Sequence, residues 1–426
     1  MNLVVEPSTL SGTVQAPASK SLTQRALAAA LLKGGISVII GAGQSSDERA
    51  ARSIVQALGA EIREDGDEWI IDSRGILPVT SELNCGESGL AARMFVPVAA
   101  LSAQELTITG AGSLMERPMD IFTRVLPKLN VKLQSRGGKL PMRIKGPLQP
   151  ASIELEGSLS SQFVTGLILA FGGANAENCS IRVIRPSSVG YIDLTLEVMR
   201  KFGLPVPRNE GYSEYFFDRA QPALHSETTR YQVEGDWSGG AFLLVAGAIA
   251  GPILVRGLDL GSQQADRAIL NVLMDAGAAI AVEAKGIRIQ PTEMRAFEFD
   301  ASDCPDLFPP LVALATCCEG TSSVAGVSRL IHKESNRAES LQSEFAKMGA
   351  RISIYADEMR IEGGVLKGAT ISSHNDHRIA MACAVAAMRA SKPVLIRDAA
   401  VVRKSYPAFF HDLKSLGAAV SLPFTA

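Results

Sequence analysis

Cationic side chains stand beside small hydroxyl residues at several points of the sequence, each just ahead of an apolar run. The first case is Lys20 and Ser21, with Arg25 about one helical turn later. A serine at a helix start can simply cap the helix, but Lys20 and Arg25 oppose the positive end of the helix dipole. A bound anion would relieve that conflict and would accept hydrogen bonds from the free N–H groups. The pattern therefore favours an anion site at this predicted helix N-terminus.

Three further segments of the N-terminal half have the same character. Gly89 allows backbone to come close to a ligand, and Arg117 precedes a proline that we place at a helix start. Ser160, Ser161 and Gln162 offer hydroxyl and amide donors where another helix is expected to begin. Each segment alone fits ordinary helix capping. Together they predict several helix N-termini that are equipped to bind anions.

The C-terminal half adds a carboxylate and further cations. Asp306 precedes an apolar run, where its side chain either caps a helix or points into a cleft. Lys333 and Arg337 would share one face of a helix at positions i and i+4. Two like charges so placed cost a few tenths of a kcal/mol unless an anion lies between them. Arg378 opens a strongly apolar helix and Lys404 precedes the last predicted one, so the cations again collect near helix starts.

Composition limits the classes of protein that such sites can serve. A chain of 426 residues is long for one core and suits two domains of about 200 residues each. Lys and Arg total 42 against 44 Asp and Glu, so the formal net charge is -2 and the basic footprint of a nucleic-acid binder is missing. The six cysteines form no CxxC pair and have no histidine at metal-ligand spacing, which argues against a zinc site or a disulfide framework. We expect a cytoplasmic enzyme without a metal or an organic cofactor.

Six amphipathic segments share one ending and divide the sequence evenly. Each has apolar residues at i, i+3 and i+4, stops on Gly or Asn, and is followed by a short β-prone run. The stops, 68 to 74 residues apart, are Gly59, Asn130, Gly203, Gly277, Gly349 and Gly417. Helix–turn–strand endings recur in any α/β protein, but even spacing over the whole chain favours a true repeat. We therefore predict six α/β units, three in each of two domains.

The order of the motifs is itself distinctive. From residue 19 to about residue 410 it runs SKSLTQRA, ESGLAAR, ERPMD, SLSSQF, YIDLT, DCPD, HKESNR, NDHRIAM and VRKSYPAFF. This series resembles the 3-phosphoshikimate 1-carboxyvinyltransferase family, also called EPSP synthases, and KESNR with NDHR is its most specific pair. The resemblance implies a two-domain inside-out α/β barrel of six repeated βαβαββ-type units. It places residues 1–19 and 232–426 in one domain, residues 20–231 in the other, and the active site in the cleft between them.

The resemblance also implies a reaction and its partners. The enolpyruvyl group of phosphoenolpyruvate is transferred to the 5-hydroxyl of shikimate 3-phosphate, with release of phosphate, in the shikimate pathway that leads to chorismate and the aromatic amino acids. The implied partners are these two small molecules, with no nucleic acid, no membrane and a monomeric chain. The implied phosphoenolpyruvate site consists of Lys20, Gly89, Arg117, Gln162, Arg337, Arg378 and Lys404. The implied shikimate 3-phosphate site consists of Lys20, Ser21, Arg25, Ser160, Ser161, Gln162, Ser188, Tyr191, Asp306 and Lys333.

Three side chains would carry the chemistry if the resemblance holds. Asp306 would position or deprotonate the attacking hydroxyl, while Glu334 with Lys20 would move the proton at C3 of the enolpyruvyl group. A carboxylate that acts as an acid needs a raised pKa, which a partly desolvated site provides. The chain departs from the family's usual residues at Glu87, Leu90, Trp237, Arg329 and Ile331.

Two other functions stay open as alternatives. The sister reaction on UDP-N-acetylglucosamine uses the same fold and enolpyruvyl donor, but that family has a catalytic loop cysteine and lacks KESxR and NDHR. Cys85 lies in a different motif from that cysteine. The second alternative is a noncatalytic anion-binding scaffold, which loss of Asp306 or Glu334 would have indicated. Both acids are present, so the enzyme is favoured.

Overall fold

The computed structural model describes residues 1–218 and 227–423, and the chain divides into two compact units. Unit 1 comprises Met1–Pro17 and Gly235–Ala426, and unit 2 comprises Ala18–Glu234. Each unit has its own large apolar core, in which most side chains are buried. Both ends of the described chain therefore belong to unit 1.

The N-terminal strands and unit 2 come first along the chain. Unit 1 begins with β1 (Leu3–Val5) and β2 (Gly12–Gln15). The strands of unit 2 are β3 (Gly35–Ile40), β4 (Glu61–Asp65), β5 (Glu68–Ser73), β6 (Glu82–Asn84), β7 (Glu105–Thr109), β8 (Lys132–Arg136), β9 (Lys139–Lys145), β10 (Ile153–Glu156), β11 (Cys179–Ile184), β12 (Arg208–Glu210), β13 (Glu214–Phe217) and β14 (Thr229–Gln232). Its helices are α1 (Lys20–Lys33), α2 (Ser46–Ala57), α3 (Gly89–Ala99), α4 (Asp120–Val125), α5 (Ser161–Gly173) and α6 (Gly190–Lys201), with short 3₁₀ helices at Gly112–Glu116 and Leu126–Leu129.

The rest of unit 1 repeats the same kinds of element. Its remaining strands are β15 (Ile253–Arg256), β16 (Ala279–Glu283), β17 (Gly286–Gln290), β18 (Glu298–Asp300), β19 (Thr321–Ala325), β20 (Arg351–Tyr355), β21 (Glu358–Glu362), β22 (Thr370–Ser372), β23 (Val394–Arg397) and β24 (Val420–Ser421). Its helices are α7 (Trp237–Ala250), α8 (Ile269–Asp275), α9 (Phe308–Ala315), α10 (Arg337–Lys347), α11 (His377–Ala387) and α12 (Phe409–Ser415). Short 3₁₀ helices lie at Ala265–Ala268, Pro305–Leu307, Val327–Leu330 and Ala399–Lys404.

The part of the chain that the structure describes contains six four-stranded sheets, all with the same topology. In every sheet an outer strand runs parallel to its neighbour, and the remaining pairs are antiparallel. In unit 2 the strand orders are β14-β3-β5-β4, β6-β7-β9-β8 and β10-β11-β13-β12. In unit 1 they are β2-β15-β17-β16, β18-β19-β21-β20 and β22-β23-β1-β24. Three such sheets in each unit confirm the predicted fold class of six repeated α/β units.

The pairing of the chain ends explains why unit 1 is discontinuous. Strand β2 lies parallel to β15, and β1 lies between β23 and β24, so both N-terminal strands complete sheets made by the C-terminal half. In unit 2 the late strand β14 pairs in parallel with the early strand β3. Each unit is therefore closed by a strand from a distant part of the sequence, which leaves no sheet short of its outer strand.

The six predicted helix stops all lie in the left-handed region. The φ angles are 107° at Gly59, 63° at Asn130, 69° at Gly203, 88° at Gly277, 87° at Gly349 and 105° at Gly417. Glycine, and to a lesser degree asparagine, adopts this conformation at low cost. The five glycines follow the ends of α2, α6, α8, α10 and α12, and Asn130 follows the 3₁₀ helix Leu126–Leu129 that continues α4. The repeat that the sequence predicts is thus present in the backbone.

A second helix in each repeat is buried, and these helices carry the residues of interest at their N-termini. Every residue of α3, α9 and α11 is buried. Helix α3 packs closely on α5, since a Cβ on Gly166 would lie 2.5 Å from the carbonyl oxygen of Arg93. A helix that is apolar all round has to lie inside a core, which fixes the position of its first turn.

None of the helices in the described part of the chain is long and apolar enough to cross a membrane. All six cysteines are present as free thiols.

Candidate active site

The N-terminus of α1 holds Lys20 beside a carboxylate. Ser19 caps the helix by accepting a hydrogen bond from the Leu22 amide at 3.4 Å. Lys20 is the first helical residue, and its Nζ donates to Asp47 Oδ2 at 2.8 Å. Asp47 lies in the first turn of α2, which has its own capping box formed by Ser45 and Glu48. Lys20 therefore opposes the α1 dipole, as the sequence indicated, but the Asp47 carboxylate balances its charge.

Arg25 is buried and hydrogen-bonded on every guanidinium nitrogen. Its Nε donates to Thr195 Oγ1 at 2.9 Å, and Nη2 donates to the Tyr191 carbonyl at 3.0 Å. Its Nη1 donates to both the carbonyl and the hydroxyl of Ser21. Burial lowers the pKa of Arg25 to about 10. Arg25 thus connects α1 with α6 and holds two of the predicted site residues, Ser21 and Tyr191, close together.

Gly89, Arg117 and Gln162 come together at the N-terminus of α3. Gly89 is the first residue of this helix, which Ser88 caps. A Cβ on Gly89 would lie 2.6 Å from Arg117 Nη1 and 3.7 Å from Gln162 Oε1. Gln162 Oε1 also accepts a hydrogen bond from Arg93 Nη1 at 3.0 Å. The absence of a side chain at position 89 is what allows the Arg117 guanidinium to approach this helix end.

Arg93 is a member of this group that the sequence analysis did not assign. It lies one helical turn after Gly89 on a helix that is otherwise apolar, and its guanidinium stacks on the Phe163 ring at 4.9 Å. Burying an arginine in an apolar helix costs free energy unless the arginine has partners. The position of Arg93 in an apolar run was therefore the sequence signal that could have identified it.

The predicted serines lie at the starts of α5 and α6. Ser160 caps α5 and accepts from the Gln162 amide at 3.3 Å, and Ser161 is buried in the first turn. Ser188 adopts a left-handed φ of 52° just before α6. The hydroxyl of Ser187 donates to the Gly157 carbonyl at 2.8 Å, so the loops that precede the two helices are tied together. The hydroxyl-bearing residues of unit 2 therefore share one end of its buried helices.

Unit 1 has a dense group of charges centred on Asp306. Arg337 Nη1 lies 3.0 Å from Asp306 Oδ1, and Arg378 Nη2 lies 2.9 Å from Asp306 Oδ2. Lys333 Nζ is 3.5 Å from the same carboxylate. Asp306 does not cap a helix, because it lies within the 3₁₀ helix that precedes α9. Of the two possibilities that the sequence left open, the structure therefore excludes the cap.

Arg337 is fully buried and contacts three carboxylates. Besides Asp306 it pairs with Glu334, and its Nε donates to Asp376 Oδ2 at 3.0 Å. Asp376 is also fully buried, caps α11 through the Arg378 amide, and accepts from Ser335 Oγ at 3.2 Å. Asp376 was not among the predicted site residues, although its place just before an apolar helix is typical of a cap.

Two sequence expectations about helix positions were wrong. Lys333 and Arg337 do not share a helix face, because residues 333–335 form bends and α10 begins only at Arg337. In this segment Glu334 contacts Arg337, and the Ser335 hydroxyl donates to Asp376. The proline after Arg117 lies ahead of α4 rather than in its first turn, since α4 begins at Asp120.

Burial and neighbouring charges have opposite effects on the pKa values of Asp306 and Lys333. Burial alone would raise the pKa of Asp306, but Arg378, Lys333 and Arg337 outweigh it and hold that pKa below its usual range. Burial lowers the pKa of Lys333 to about 8, against the attraction of Asp306. Asp306 is therefore ionised, while Lys333 is a cation that can lose its proton near pH 8.

A further buried carboxyl lies next to the group. Asp266 is 2% exposed and is hydrogen-bonded to the hydroxyl of Ser238. Burial, and then the charge of Asp306, raise the pKa of Asp266 to about 7. Nothing in the sequence pattern around Asp266 distinguished it from a surface acid.

Lys404 reaches the same region of unit 1 by a hydrogen bond to a backbone carbonyl. It is mostly buried at the end of the 3₁₀ helix Ala399–Lys404, and its Nζ donates to the Asn375 carbonyl at 2.7 Å. Asn375 directly precedes Asp376, which pairs with Arg337. Lys404, Arg337 and Arg378 are thus connected through the backbone segment that contains Asn375 and Asp376.

The predicted residues fall into two groups, one in each unit. Those of unit 2 are Lys20, Ser21, Arg25, Gly89, Arg117, Ser160, Ser161, Gln162, Ser188 and Tyr191. Those of unit 1 are Asp306, Lys333, Glu334, Arg337, Arg378 and Lys404. Across residues 1–218 and 227–423, no group of three His, Cys, Asp or Glu side chains is placed to hold a metal ion. Each group contains several cations, of which Lys20, Arg337 and Arg378 lie in the first turn of a helix.

Comparison with known proteins identifies the family of the chain. A family model described as EPSP synthase (3-phosphoshikimate 1-carboxyvinyltransferase) matches residues 4–413. The 3-phosphoshikimate 1-carboxyvinyltransferase of Clostridium novyi is 33% identical over 98% of this chain and 97% of its own length. That of Clostridium kluyveri is 35% identical over 97% of this chain and 96% of its own.

Solved structures give the same answer for the fold. The EPSP synthase of Acinetobacter baumannii superposes with a TM-score of 0.81 at 25% identity, covering 99% of this chain and all of that one. The enolpyruvyl transferase NikO of Streptomyces tendae shares the fold, with a TM-score of 0.79 at 16% identity over 99% of this chain and 98% of that one. The resemblance read from the motifs is confirmed: this chain belongs to the EPSP synthase family.

Proposed function

We propose that this protein is a 3-phosphoshikimate 1-carboxyvinyltransferase. It transfers the enolpyruvyl group of phosphoenolpyruvate to the 5-hydroxyl of shikimate 3-phosphate and releases phosphate. Family membership supports the proposal, and relatives that match almost the whole chain carry that name. The observation that carries it here is the Asp306 carboxylate, held by the three cations Arg337, Arg378 and Lys333.

Phosphoenolpyruvate would be bound through its phosphate and carboxylate. In unit 1 we assign Arg337, Arg378 and Lys404 to it, and in unit 2 we assign Lys20, Gly89, Arg117 and Gln162. Arginine binds carboxylate and phosphate through two parallel hydrogen bonds, and a hydrogen bond to a charged group contributes about 1.5–3 kcal/mol. Several of these cations now contact protein carboxylates, so an incoming anion would compete with Asp306 and Asp47 for them.

Shikimate 3-phosphate would be bound mainly by groups of unit 2. We assign to it Lys20, Ser21, Arg25, Ser160, Ser161, Gln162, Ser188 and Tyr191, together with Asp306 and Lys333 of unit 1. Helix N-termini with serine hydroxyls suit a phosphate monoester, because backbone N–H groups and hydroxyls both donate to its oxygens. Arg25 has little capacity left for a ligand, so its main part would be to hold Ser21 and Tyr191 in place.

The chemistry requires a base near the hydroxyl and a proton source near C3. The 5-hydroxyl oxygen attacks C2 of the enolpyruvyl group while C3 gains a proton, and the phosphate then leaves as C3 loses a proton. We assign the hydroxyl contact to Asp306 and the C3 proton to Glu334 with Lys20. The cations around Asp306 keep its pKa low, so that it positions the hydroxyl as a carboxylate acceptor. When substrate anions neutralise those cations, the basicity of Asp306 rises at the moment when it has to accept a proton.

The same proposal includes a location and a state of assembly. We place the enzyme in the cytoplasm, which six free thiols favour, and expect it to act as a monomer on two small molecules. We further propose that the domain boundaries are those expected from the sequence, with residues 1–19 and 232–426 in one domain and residues 20–231 in the other.

The test is phosphate release by the purified protein. Release that requires phosphoenolpyruvate and shikimate 3-phosphate together supports the proposal. Release with UDP-N-acetylglucosamine in place of shikimate 3-phosphate would assign the protein to the sister reaction. Binding of both anions without any release would identify a noncatalytic scaffold.

A further inference from the structure

A buried glutamate of α10 holds a neighbouring turn through several hydrogen bonds. Glu344 is 1% exposed. Its Oε2 accepts from the Ser372 amide at 2.8 Å, and its Oε1 contacts His374 Nε2 at 2.5 Å. Lys347 Nζ, three residues along the same helix, lies 2.8 Å from both carboxylate oxygens. Both oxygens of Glu344 are therefore used to connect α10 with residues 372–374.

The turn that Glu344 holds has an uncommon backbone. His374 and Asn375 have φ angles of 51° and 54°, so two successive residues with side chains are left-handed. Such residues persist only where the surrounding contacts determine the backbone, because each is less favourable than an extended or helical alternative. The bonds from Glu344 to Ser372 and His374 are contacts of that kind. These bonds, called the clamp below, hold the beginning of the turn at residues 372–374, whereas α11 follows its other end.

The same turn carries three contacts of the proposed phosphoenolpyruvate site. The Asn375 carbonyl accepts the hydrogen bond of Lys404 at 2.7 Å. Asp376 follows it, pairs with Arg337 and caps α11. The amide of Arg378 completes that cap, and its guanidinium contacts Asp306. A change in the backbone at 374–375 would therefore reach all three cations that unit 1 contributes.

Helix α10 contacts this turn at both of its ends. Arg337 is its first residue and binds Asp376 at the end of the turn. Glu344, about two helical turns later, binds Ser372 and His374 at the beginning. The rigid helix between them keeps the two ends of the turn at a fixed separation.

We propose that Glu344 is a positioning residue, which sets the Lys404, Arg337 and Arg378 cations for phosphoenolpyruvate by holding the left-handed turn at His374 and Asn375. The inference rests on the proposed function, because it takes those cations as the donor site. Glu344 itself touches no substrate. Burial would raise its pKa, but the Lys347 and His374 contacts outweigh burial and lower it, so the carboxylate is ionised. Glutamine keeps the shape of glutamate but replaces one acceptor oxygen by an NH2 donor and removes the charge. The Lys347 ammonium, which lies 2.8 Å from both oxygens of Glu344, would then face a donor, so the arrangement cannot be kept.

The test compares E344Q with a matched control on the same helix. Glu339 is exposed in the first turn of α10, so E339Q makes the same chemical change where no clamp exists. Hydrogen–deuterium exchange measures the turn without reference to activity. In E344Q the Ser372 amide should exchange about tenfold faster or more than in the wild type, whereas E339Q should leave it unchanged.

Steady-state kinetics separate positioning from a general loss of structure. For E344Q the KM for phosphoenolpyruvate should rise about tenfold, while the KM for shikimate 3-phosphate stays within about twofold of the wild-type value. H374A removes one clamp contact at a partly exposed position, where the change does not threaten folding, and should move the same KM in the same direction. Equal rises in both KM values, or an unchanged KM for phosphoenolpyruvate in both variants, would overturn the proposal.

Failure of the proposed function and failure of the inference about Glu344 give different results. A wild-type protein that does not turn over the two substrates contradicts the proposed function. Unchanged exchange at residues 372–376 in E344Q contradicts the clamp, whatever the activity of the wild type.

Discussion

Arg337 and Asp376 form a two-point ion pair in which both side chains are completely buried. The Nε–Oδ2 distance is 3.0 Å and the Nη2–Oδ1 distance is 3.3 Å. The pair joins the first residue of α10 to the cap of α11. It therefore fixes the starts of the two helices that present Arg337 and Arg378.

Removing the acid of this pair should destabilise the fold strongly. D376A leaves the Arg337 charge buried with fewer partners and also removes the α11 cap, so we expect a loss of about 3–5 kcal/mol. Urea unfolding monitored by circular dichroism measures it. E362A breaks an exposed ion pair of the same unit, Arg351–Glu362, and should cost about 1 kcal/mol or less. Equal costs for the two variants would contradict the account of a buried, structural pair.

Loss of either proposed acid should remove activity while the protein stays folded. We expect D306A and E334A to lower kcat by about 10²–10⁴, the range for lost proton-transfer catalysis. Phosphate release under saturating substrates measures kcat, and circular dichroism checks folding. D303A, three residues before Asp306 at an exposed position, is the matched control and should keep near wild-type kcat. Near wild-type turnover by D306A or E334A would remove that residue from its role.

Because of Lys333, the plot of kcat/KM against pH should fall on its alkaline side, the alkaline limb. Burial lowers its pKa to about 8, so the free enzyme loses this cation above that pH. If Lys333 binds shikimate 3-phosphate, kcat/KM for that substrate should fall about tenfold per pH unit above pH 8. K333R keeps its charge and should stay level to about pH 9. A wild-type profile that is level to pH 9, or the same limb in K333R, would contradict the assignment.

The same lowered pKa has a consequence for stability. Between pH 8 and the ordinary value of 10.5, Lys333 is deprotonated in the folded protein and protonated in the unfolded chain. The unfolded state then binds more protons, so the contribution of Lys333 to the free energy of unfolding increases with pH over that interval.

A side chain at position 89 should weaken the donor site specifically. The Cβ of G89A would lie 2.6 Å from Arg117 Nη1, so the guanidinium has to move. We expect the KM for phosphoenolpyruvate to rise about tenfold with little change in the KM for shikimate 3-phosphate. G364A is the matched control, because a Cβ on Gly364 meets nothing within 4 Å. An unchanged KM for phosphoenolpyruvate in G89A would show that Arg117 does not bind it from this position.

Local sequence patterns were enough to predict the repeats and most helix starts. Glycine and asparagine after an amphipathic run identified all six left-handed stops, since that conformation has few other occupants. Ser19 and Ser160 cap the helices that their motifs precede. The order of motifs along the chain predicted the family, which the relatives confirm.

Contacts between distant segments could not be predicted in this way. The cationic pattern around Arg25 did not indicate its hydrogen bonds to Thr195 and Tyr191, which lie far along the chain. Lys333 looked helical because its spacing to Arg337 fits one turn, but residues 333–335 form bends, in which Lys333 contacts Asp306, distant in sequence. Asp266 and Glu344 owe their surroundings to tertiary packing, so no local pattern marked them.

The central claim is enolpyruvyl transfer through addition and loss of a proton at C3. The most direct measurement incubates the protein with phosphoenolpyruvate and shikimate 3-phosphate in heavy water and examines the products by mass spectrometry. The account predicts one phosphate released per enolpyruvyl ether formed, with deuterium at C3 of the transferred group. Phosphate released without the ether, or an ether that carries no deuterium, would contradict it.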